Sequence, residues 1–466
     1  MDDKLYSIIL AAGEGKRMKS KLPKPLQKAC GRALIDYVCD AARAAGAEKS
    51  IVIIGHGAEQ MREYLGDSVE YAEQKERLGT GHAVMQGIKP IADKCGTVII
   101  LSGDVPLVTA DMIQNAYSEH LSTERAATVV TAIADNPFGY GRVIRCGGEV
   151  EKIVEEKDAS PDEKAVCEIN SGIYLFDIQK LKSALGRISN DNSQGEYYLT
   201  DVLGILKGDG EKIGAFITDL EQILGVNDKI QLAEIDKILN SKNVMRLMRD
   251  GARILNPETV RADSDVIVGA DTVIYPNTIL EGKCVIGEDC VIGPNTRLVN
   301  TVVGDATEVQ SSVAIDSRIG RNTAVGPFAY LRPNSNVGND VKVGDFVEVK
   351  NSNVGDGTKI AHLTYVGDAD VGKRVNFGCG TVIVNYDGIN KHRTIIEDDC
   401  FIGCNSNLVS PVTLHKGAYT AAGSTITDEV PKDALAIARA RQVVKENWAK
   451  GKTKKQPIVS VEIPTP

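Results

Sequence analysis

The sequence predicts two different architectures on one chain: a Rossmann-like α/β domain, followed by a parallel β-helix of six-residue repeats. Three observations carry this prediction. The chain has 466 residues, which is too long for one compact core. Short apolar runs alternate with helical patterns in the first half. From Val268 to Ile426, apolar residues recur at every sixth position.

The six-residue period defines three rows of apolar residues in the second half. Such a row is buried only when each repeat stacks on its neighbours, which is the signature of a solenoid. An amphipathic helix would repeat every 3.6 residues and would not tolerate so many glycines and prolines. The rows are Val268, Ile274, Leu280, Ile286, Ile292 and Leu298; Ile319, Val325, Leu331, Val337, Val343 and Val349; and Ile402, Leu408, Leu414, Thr420 and Ile426.

The period is interrupted between Val384 and Phe401, where the chain reads NYDGINKHRTIIEDDC. An insertion on one face of a solenoid often carries a binding site. A surface excursion that the stack merely tolerates is the alternative.

Four β-rich apolar runs are the candidate strands of the first domain: Tyr6–Leu10, 51–54, 97–101 and 127–133. Helical patterns fall between several of them, which indicates a mostly parallel sheet that binds ligands beyond the carboxyl ends of its strands.

Two candidate features lie at that edge of the sheet. The first strand runs into AAGEGKRM, where small residues allow backbone N–H groups to approach an anion and Lys16 and Arg17 add positive charge. A generic glycine-rich turn is the alternative, and the nearby Lys24 is either a phosphate ligand or a solvated side chain. Asp104 follows the strand TVIIL directly, which suits Mg²⁺ because this ion keeps water ligands and binds few protein oxygens.

Composition excludes several classes of protein. The net charge of −9 and the pI near 5.4 argue against nucleic-acid or membrane partners. Ten scattered cysteines show neither a metal-binding spacing nor a secreted framework, so we expect mostly reduced, buried thiols. The N-terminus resembles no signal peptide and no apolar run reaches about 20 residues, so we expect a soluble cytoplasmic protein.

Eight motifs resemble those of sugar-nucleotide pyrophosphorylases: LAAGEGKRM, LPKPL, QKERLGTGHAV, LSGDVPL, GYGRV, VEEKDA, EINSGIY and LGVNDK. Together with the repeats and NYDGINKH, their order resembles the family of bifunctional N-acetylglucosamine-1-phosphate uridylyltransferases and glucosamine-1-phosphate acetyltransferases over almost the entire chain. The resemblance implies an α/β nucleotidyltransferase domain, left-handed coils and a homotrimer. It also implies UDP-N-acetylglucosamine synthesis, which supplies peptidoglycan and lipopolysaccharide precursors.

For the uridylyltransferase, the resemblance implies UTP, N-acetylglucosamine 1-phosphate and Mg²⁺ as ligands. Lys24 would lie near the phosphates, and Asp104 and Asn227 would hold Mg²⁺. The remaining residues that would contact UTP or the UDP-sugar are Leu10, Ala11, Ala12, Gly13, Gln74, Gly79, Thr80, Ser102, Gly103, Gly141, Glu155, Asn170 and Tyr198.

For the acetyltransferase, the resemblance implies acetyl-CoA and glucosamine 1-phosphate as substrates and His362 as general base. An imidazole titrates near working pH, which suits this task, although a lone His on a coil is more often a surface residue. The other implied contacts are Arg332, Lys350, Tyr365, Asn376, Asn385, Tyr386, Lys391, Cys404, Ala422 and Arg439. Cys404 departs from the Ser that the family often has, and its thiol is a weaker hydrogen-bond donor.

The predicted organisation has three parts: 1–228 as the uridylyltransferase, 229–252 as a linker helix, and 253–466 as the β-helix with a basic helical tail around Arg439. Two alternatives stay open. One is a single-activity nucleotidyltransferase whose β-helix is only a scaffold, and the other is a sugar-nucleotide sensor without catalysis.

Overall fold

A computed structural model describes residues 3–192 and 195–452. The chain divides into two compact units between Asp316 and Ser317, inside the repeat region. The predicted boundaries at 228 and 252 remain predictions. In the described residues no helix is both long and apolar enough to cross a lipid bilayer.

The first unit begins with an α/β domain whose main sheet has the strand order β11-β7-β10-β6-β1-β4-β5. The strand β10 runs antiparallel to both of its neighbours, and β8 and β9 form a hairpin beside it. The strands are β1 Leu5–Leu10, β2 Lys28–Ala29, β3 Arg32–Ala33, β4 Ser50–Ile54, β5 Glu70–Glu73, β6 Thr97–Ser102, β7 Ala127–Ile133, β8 Arg142–Cys146, β9 Glu149–Val154, β10 Glu168–Asp177 and β11 Ile213–Ile217.

Helices cover both faces of this sheet, which explains why its strands are continuous apolar runs. On β1, for example, Tyr6 and Ile8 pack into the core on one face and Leu5 and Ile9 into the core on the other. The helices are α1 Leu34–Ala44, α2 Ala58–Leu65, α3 Thr80–Gly87, α4 Ala110–Ser122, α5 Pro161–Lys164, α6 Ile178–Leu185, α7 Asp201–Gly208 and α8 Lys229–Arg249.

The helix α8 is the one expected over 229–252. It begins at Asp228, whose carboxylate accepts hydrogen bonds from the N–H groups of Ile230 and Gln231. Its Asp236 accepts from the N–H of Cys30, and its Asn240 bonds the first coil at Val260 and Ala262. Helix α8 therefore joins the α/β domain to the start of the repeats.

The repeats fold as the predicted parallel β-helix, and every residue of the three apolar rows is buried. In the first unit, strands stack in three parallel sheets, one on each side of the coil. These strands are Arg253–Ile254, Arg261–Ala262, Ile267–Val268, Val273–Ile274, Ile279–Glu281, Val285–Ile286, Val291–Ile292, Arg297–Val299, Val302–Val303, Glu308–Val309 and Val313–Ile315.

The second unit continues the same pattern. Non-glycine residues such as Asn334, Asp340 and Asn405 turn its corners with positive φ, a conformation that Asn and Asp tolerate best. Its strands are Arg318–Ile319, Ala324–Val325, Tyr330–Leu331, Asn336–Val337, Lys342–Asp345, Glu348–Lys350, Asn353–Val354, Lys359–His362, Tyr365–Gly367, Ala369–Val371, Asn376–Phe377, Val382–Val384, Thr394–Ile396, Phe401–Ile402, Asn407–Val409, Val412–Leu414, Tyr419–Thr420, Thr425–Ile426 and Leu435–Ala436.

The predicted helical tail is wrong as far as the structure describes it. Within 429–452 the chain forms turns and the strand Leu435–Ala436, which pairs with Tyr419–Thr420. Residues 438–452 are exposed, so a helix there would bury no apolar face, and isolated helices of this length are only marginally stable. The remainder of the tail, from residue 453, lies outside the described residues.

The cysteines are free thiols, but fewer of them are buried than the sequence predicts. Five of the ten are buried, namely Cys30, Cys39, Cys284, Cys290 and Cys400.

Candidate active sites

A pocket of about 290 Å³ opens at the carboxyl ends of β1 and β6, which pair in parallel so that Leu10 lies beside Ser102. Ten of the predicted residues line it: Leu10, Ala11, Ala12, Gly13, Lys24, Gln74, Gly79, Thr80, Ser102 and Asp104. Pro25, Arg77, Ala83 and Glu196 complete the lining. The structure thus gathers motifs that are up to 94 residues apart in the sequence, from Leu10 to Asp104, around one cavity.

The glycine-rich turn lies directly against the stem of Lys24. Gly15 has φ 63°, and a Cβ there would lie 2.9 Å from Lys24 Cβ. A larger residue at this position would push Lys24 away from the pocket. The alternative that Lys24 is a solvated surface side chain is wrong, since only 18% of it is exposed.

The Lys24 ammonium pairs with the carboxylate of Asp104 and lies 3.4 Å from Asn227 Oδ1. Arg17 also donates to Asn227 Oδ1, at 2.9 Å. A charged oxygen of Asp104 and the neutral amide oxygen of Asn227 therefore lie close to the same point, which the Lys24 ammonium occupies. This donor set fits Mg²⁺, which takes one or two protein oxygens and completes its shell with water and phosphate oxygens.

The far wall of the pocket depends on Gly79, at the start of α3. Gly79 has φ 102°, and a Cβ there would lie 2.5 Å from the Tyr197 carbonyl oxygen. Two backbone hydrogen bonds close this wall: Tyr197 N–H donates to Leu78 O at 2.7 Å, and Gly81 N–H donates to Tyr197 O at 2.8 Å. The buried Gln74 amide donates to Gly79 O at 3.0 Å. Gly79 thus lets two segments meet where Gln74 faces the pocket.

Four predicted sugar contacts lie outside the lining of this pocket. Gly141, Glu155 and Asn170 cluster: Asn170 N–H donates to Gly141 O at 2.9 Å, and a Cβ on Gly141 would lie 3.4 Å from Glu155 Oε1. Tyr198 is half-buried in the segment that holds Glu196. Gly103 is also absent from the lining, and its N–H donates to Leu10 O at 2.9 Å.

The second unit gathers its predicted residues around Asp368, which the sequence reasoning did not name. Its carboxylate accepts hydrogen bonds from Asn351 at 2.6 Å and from the buried Asn385, and lies 3.4 Å from Lys350 Nζ. Asn385 also lies 3.4 Å from the Tyr365 hydroxyl. Burial alone would raise the pKa of Asp368, but these hydrogen bonds and the Lys350 charge bring it below its usual value.

Two further cations lie beside this cluster. The contact with Lys350 and its positive charge lower the pKa of Lys391, and Arg332 adds to that effect. Arg332 donates to Glu348 at 2.8 Å. The pKa values of Lys350 and Arg332 are raised, by contacts and nearby negative charge, so both stay charged beside Lys391. Three neighbouring cations favour an anionic ligand, because a bound phosphate would relieve their repulsion.

The interruption of the period, which is either a binding insertion or a surface excursion, starts at this cluster. Tyr386 pairs with Lys391 across a short bridge, and Asp387 closes the loop by accepting from the Asn390 N–H at 2.6 Å and pairing with His392 at 2.7 Å. The loop therefore leads from buried Asn385 back to Lys391, which favours the binding interpretation.

Four residues form a column along one corner of the coils: Asp345, His362, Cys379 and Cys404, with Ala422 next to Cys404. The Leu363 N–H donates to Asp345 O, the Asn405 N–H to Cys379 O and the Gly423 N–H to Cys404 O, at 2.7 to 3.0 Å. The strand register Ile360↔Phe377 places Cys379 after His362. Arg439 follows, since its Cδ lies 4.0 Å from where a Gly423 Cβ would be. Asn376 lies half-buried on the strand Asn376–Phe377.

Sequence reasoning missed Arg77, Glu196, Asp345 and Asp368. Arg77 lies within a quoted motif, between Gln74 and Gly79, so its charge was a usable signal. Glu196 lines the pocket only because its segment packs on Gly79. Asp345 and Asp368 can be recognised only from the coil register, which pairs them with His362 and Asn385, 17 positions further on. That pairing is hard to count from the sequence across a change of register.

Comparisons with known proteins agree with this architecture. A family model described as a MobA-like NTP transferase domain matches residues 7–163, and one described as a bacterial transferase hexapeptide of six repeats matches residues 265–300. These matches and the two sites define a nucleotidyltransferase joined to a hexapeptide-repeat transferase.

Curated relatives match almost the whole chain. The bifunctional protein GlmU of Geobacillus sp. (strain WCH70) is 52% identical over 96% of this chain and 97% of its own. Those of Acetivibrio thermocellus and Caldanaerobacter subterraneus subsp. tengcongensis are each 52% identical, over 95% and 97% of this chain and 97% and 99% of their own. The chain belongs to the family of bifunctional GlmU proteins. The predicted family, the fold class with its left-handed β-helix, and the bifunctional enzyme are thereby confirmed.

Proposed function

We propose that the chain makes UDP-N-acetylglucosamine in two steps. The repeats transfer acetyl from acetyl-CoA to glucosamine 1-phosphate, and the α/β domain then transfers uridylyl from UTP to N-acetylglucosamine 1-phosphate, releasing pyrophosphate. The observation that carries this proposal most strongly is the convergence of ten motif residues, Lys24 and Asp104 among them, on one pocket, with Asn227 in contact with Lys24. UTP and acetyl-CoA are cytoplasmic metabolites, so we expect the enzyme to act in the cytoplasm.

The uridylyl step brings together two anions, the attacking sugar phosphate and the α-phosphate of UTP. Asp104 and Asn227 would hold Mg²⁺, which when bound supplies charge neutralisation to the triphosphate. Lys24 would leave Asp104 for a phosphate oxygen, and the turn at Leu10–Gly13 would bind phosphate through its N–H groups. Gln74 would recognise the uracil edge, since an amide both donates and accepts. Positioning and charge stabilisation suffice, and no covalent nucleophile is needed.

For acetyl transfer, Lys350, Lys391 and Arg332 would bind the sugar phosphate. The amine of glucosamine 1-phosphate is protonated in water and must lose a proton before it attacks the thioester, which is the task of His362. Tyr365, Asn385, Asn376 and Tyr386 would orient the sugar, as the family resemblance implies.

Acetyl-CoA would lie along the corner column. Cys404 would be near the thioester carbonyl, with Ala422 and Arg439 further along the coenzyme. Cys404 is exposed and free, which agrees with a contact role. Its thiol donates weakly, so a backbone N–H would supply the better hydrogen bond to the carbonyl oxygen.

We also propose a homotrimer held in part by a ladder of apolar side chains. Phe328, Phe346 and Leu363 occupy one corner in successive coils and are exposed by 59%, 58% and 57%. The two rings stack with centroids 5.5 Å apart. All three have positive φ, which costs bulky residues about 1–2 kcal/mol each, so an exposed ladder here favours a role in association. Phe346→Ser should shift the sedimentation coefficient from trimer to monomer, and an unchanged value would contradict the trimer interface.

Two substitutions in the full-length enzyme test the division of labour. Pyrophosphate release from UTP reports the first site, and thiol release from acetyl-CoA reports the second. Asp104→Asn should lower pyrophosphate release by about 10²-fold or more and leave thiol release unchanged. His362→Ala should do the reverse, by about 10²- to 10⁴-fold. Asp93→Asn, at an exposed carboxylate, is the matched control.

The outcomes separate the proposal from its alternatives. If both variants kept both activities, the assigned roles would be wrong. If the unaltered enzyme released no thiol, the repeats would be a scaffold. If it bound UTP without releasing pyrophosphate, the chain would be a sensor.

A further inference from the structure

Asp345 is the hydrogen-bond partner of His362. Its Oδ1 lies 2.6 Å from His362 Nδ1. A carboxylate can only accept, so the Nδ1 atom carries the hydrogen and Nε2 holds the lone pair. In the described chain, Nε2 has no hydrogen-bond partner of its own.

The coils place this pair by register. Strand Lys342–Asp345 pairs with strand Lys359–His362, and Asp345 lies directly opposite His362. The backbone continues the pairing beyond the two side chains, where Leu363 N–H donates to Asp345 O at 3.0 Å. Gly344 allows the two coils to approach, because a Cβ there would collide with the Ala361 carbonyl oxygen.

The backbone of His362 is also held by a side chain. The Thr364 hydroxyl donates to His362 O at 2.7 Å. The pair is therefore a product of the stacking itself and does not depend on a mobile loop.

Few charges surround the pair. Lys342 lies on the strand of Asp345 and Lys359 on the strand of His362. On the coil before, residues 324–328 hold no titratable side chain, and on the coil after, residues 376–379 hold one, the Cys379 thiol. The hydrogen bond from His362 keeps the pKa of the Asp345 carboxyl below its usual value, so this group is ionised at neutral pH.

We propose that Asp345 is a positioning residue for acetyl transfer, which orients His362 so that Nε2 faces the substrate amine and stabilises the imidazolium that forms. This inference rests on the proposed role of His362. Nε2 takes the proton that the substrate ammonium loses, and the free amine nitrogen then forms the new C–N bond to the acetyl carbonyl carbon. As the C–S bond breaks, the imidazolium gives that proton to the departing thiolate, which leaves as CoA. The second proton that the nitrogen loses passes to the neutral Nε2 and from there to solvent.

The test is Asp345→Asn in the full-length enzyme, a change that keeps size and removes charge. Thiol release should fall by roughly tenfold or more in kcat, with the KM of both substrates changed by less than about twofold. Pyrophosphate release should be unchanged.

Asp340→Asn is the matched control, since Asp340 lies on the same coil with φ 57° and its exposed side chain accepts a hydrogen bond from Asn322. It should leave the kcat for thiol release and the KM of both substrates as they are. Melting curves of both variants exclude loss of fold.

The result that overturns the inference is an Asp345→Asn enzyme with the kcat of the unaltered enzyme, or one whose loss is confined to KM. Loss of the proposed function itself would look different: His362→Gln would then retain thiol release. If His362→Gln is inactive and Asp345→Asn keeps the original kcat, only the role of Asp345 is wrong.

Discussion

Gly79→Ala is the sharpest probe of the nucleotide pocket, because the structure supplies each part of its cost. The new Cβ would meet a backbone oxygen at 2.5 Å and the Tyr197 nitrogen at 2.9 Å, and neither can rotate away. At φ 102° an alanine is also strained, by about 1–3 kcal/mol. Relief requires that the segment around Tyr197 move off, which breaks its two hydrogen bonds to Leu78 and Gly81 at about 1 kcal/mol each.

The cost is therefore about 3–5 kcal/mol, which corresponds to a factor of roughly 10² to several 10³. Because the segment lies at the pocket wall, we expect the loss mainly as a higher KM for UTP in the pyrophosphate assay. Thiol release should not change. Gly204→Ala is the control: it lies inside α7 with no atom near its Cβ, and should be neutral or slightly stabilising.

The reasoning would be refuted by a Gly79→Ala enzyme with the KM for UTP and the melting temperature of the unaltered protein. Such a result would mean that the two segments are free to separate without cost. A lower melting temperature with unchanged KM would mean that the strain is spread through the domain.

Three further outcomes are expected. Iodoacetamide should alkylate the exposed Cys404 and abolish thiol release while sparing pyrophosphate release, and acetyl-CoA should protect the enzyme from this loss. If iodoacetamide inactivated a Cys404→Ser enzyme just as fast, the contact would be contradicted. The lowered pKa of Lys391 means that its charge is lost at a lower pH than for an ordinary lysine. As the pH is raised above neutral, the KM for glucosamine 1-phosphate should therefore begin to increase at a lower pH than an ordinary lysine would give. Lys391→Arg should reduce that increase. Arg142 is only 2% exposed and pairs with Glu156. Arg142→Met should therefore lower the stability of the α/β domain by about 2–3 kcal/mol, measured by urea titration with pyrophosphate release as the readout. An unchanged urea midpoint would refute this.

The sequence predicted the repeats almost completely, for a physical reason. A six-residue period leaves one way to bury an apolar row, and every residue of the three rows is buried in the structure. Four strands of the α/β domain were equally clear, namely β1, β4, β6 and β7, since a strand covered on both faces is an uninterrupted apolar run, as in Leu5–Leu10. The remaining strands, among them the antiparallel β10, were not predicted.

The nucleotide pocket was predictable because its residues follow strands directly. Leu10 and Ser102 end neighbouring parallel strands, so their loops had to meet. The wall at Tyr197 was not predictable, because its contact with Gly79 joins segments that no local pattern relates.

The C-terminal tail and Asp345 are two features that the sequence did not predict correctly. Residues 429–452 carry helical propensity, but the stack offers them a strand position beside Tyr419 and nothing against which a helix could pack. Asp345 was missed because its importance depends on register, and a one-residue error in counting coils would place a different side chain beside His362.

The corner column has a consequence for how such an enzyme can change. Neighbouring parallel strands are spaced by about 4.8 Å, so His362 and Cys404, which lie two coils apart, are separated by roughly 10 Å. That separation is a property of the backbone and can vary only by whole coils. New specificity at this corner must therefore come from replacing the side chain on a coil, because no loop can move one functional group toward the next.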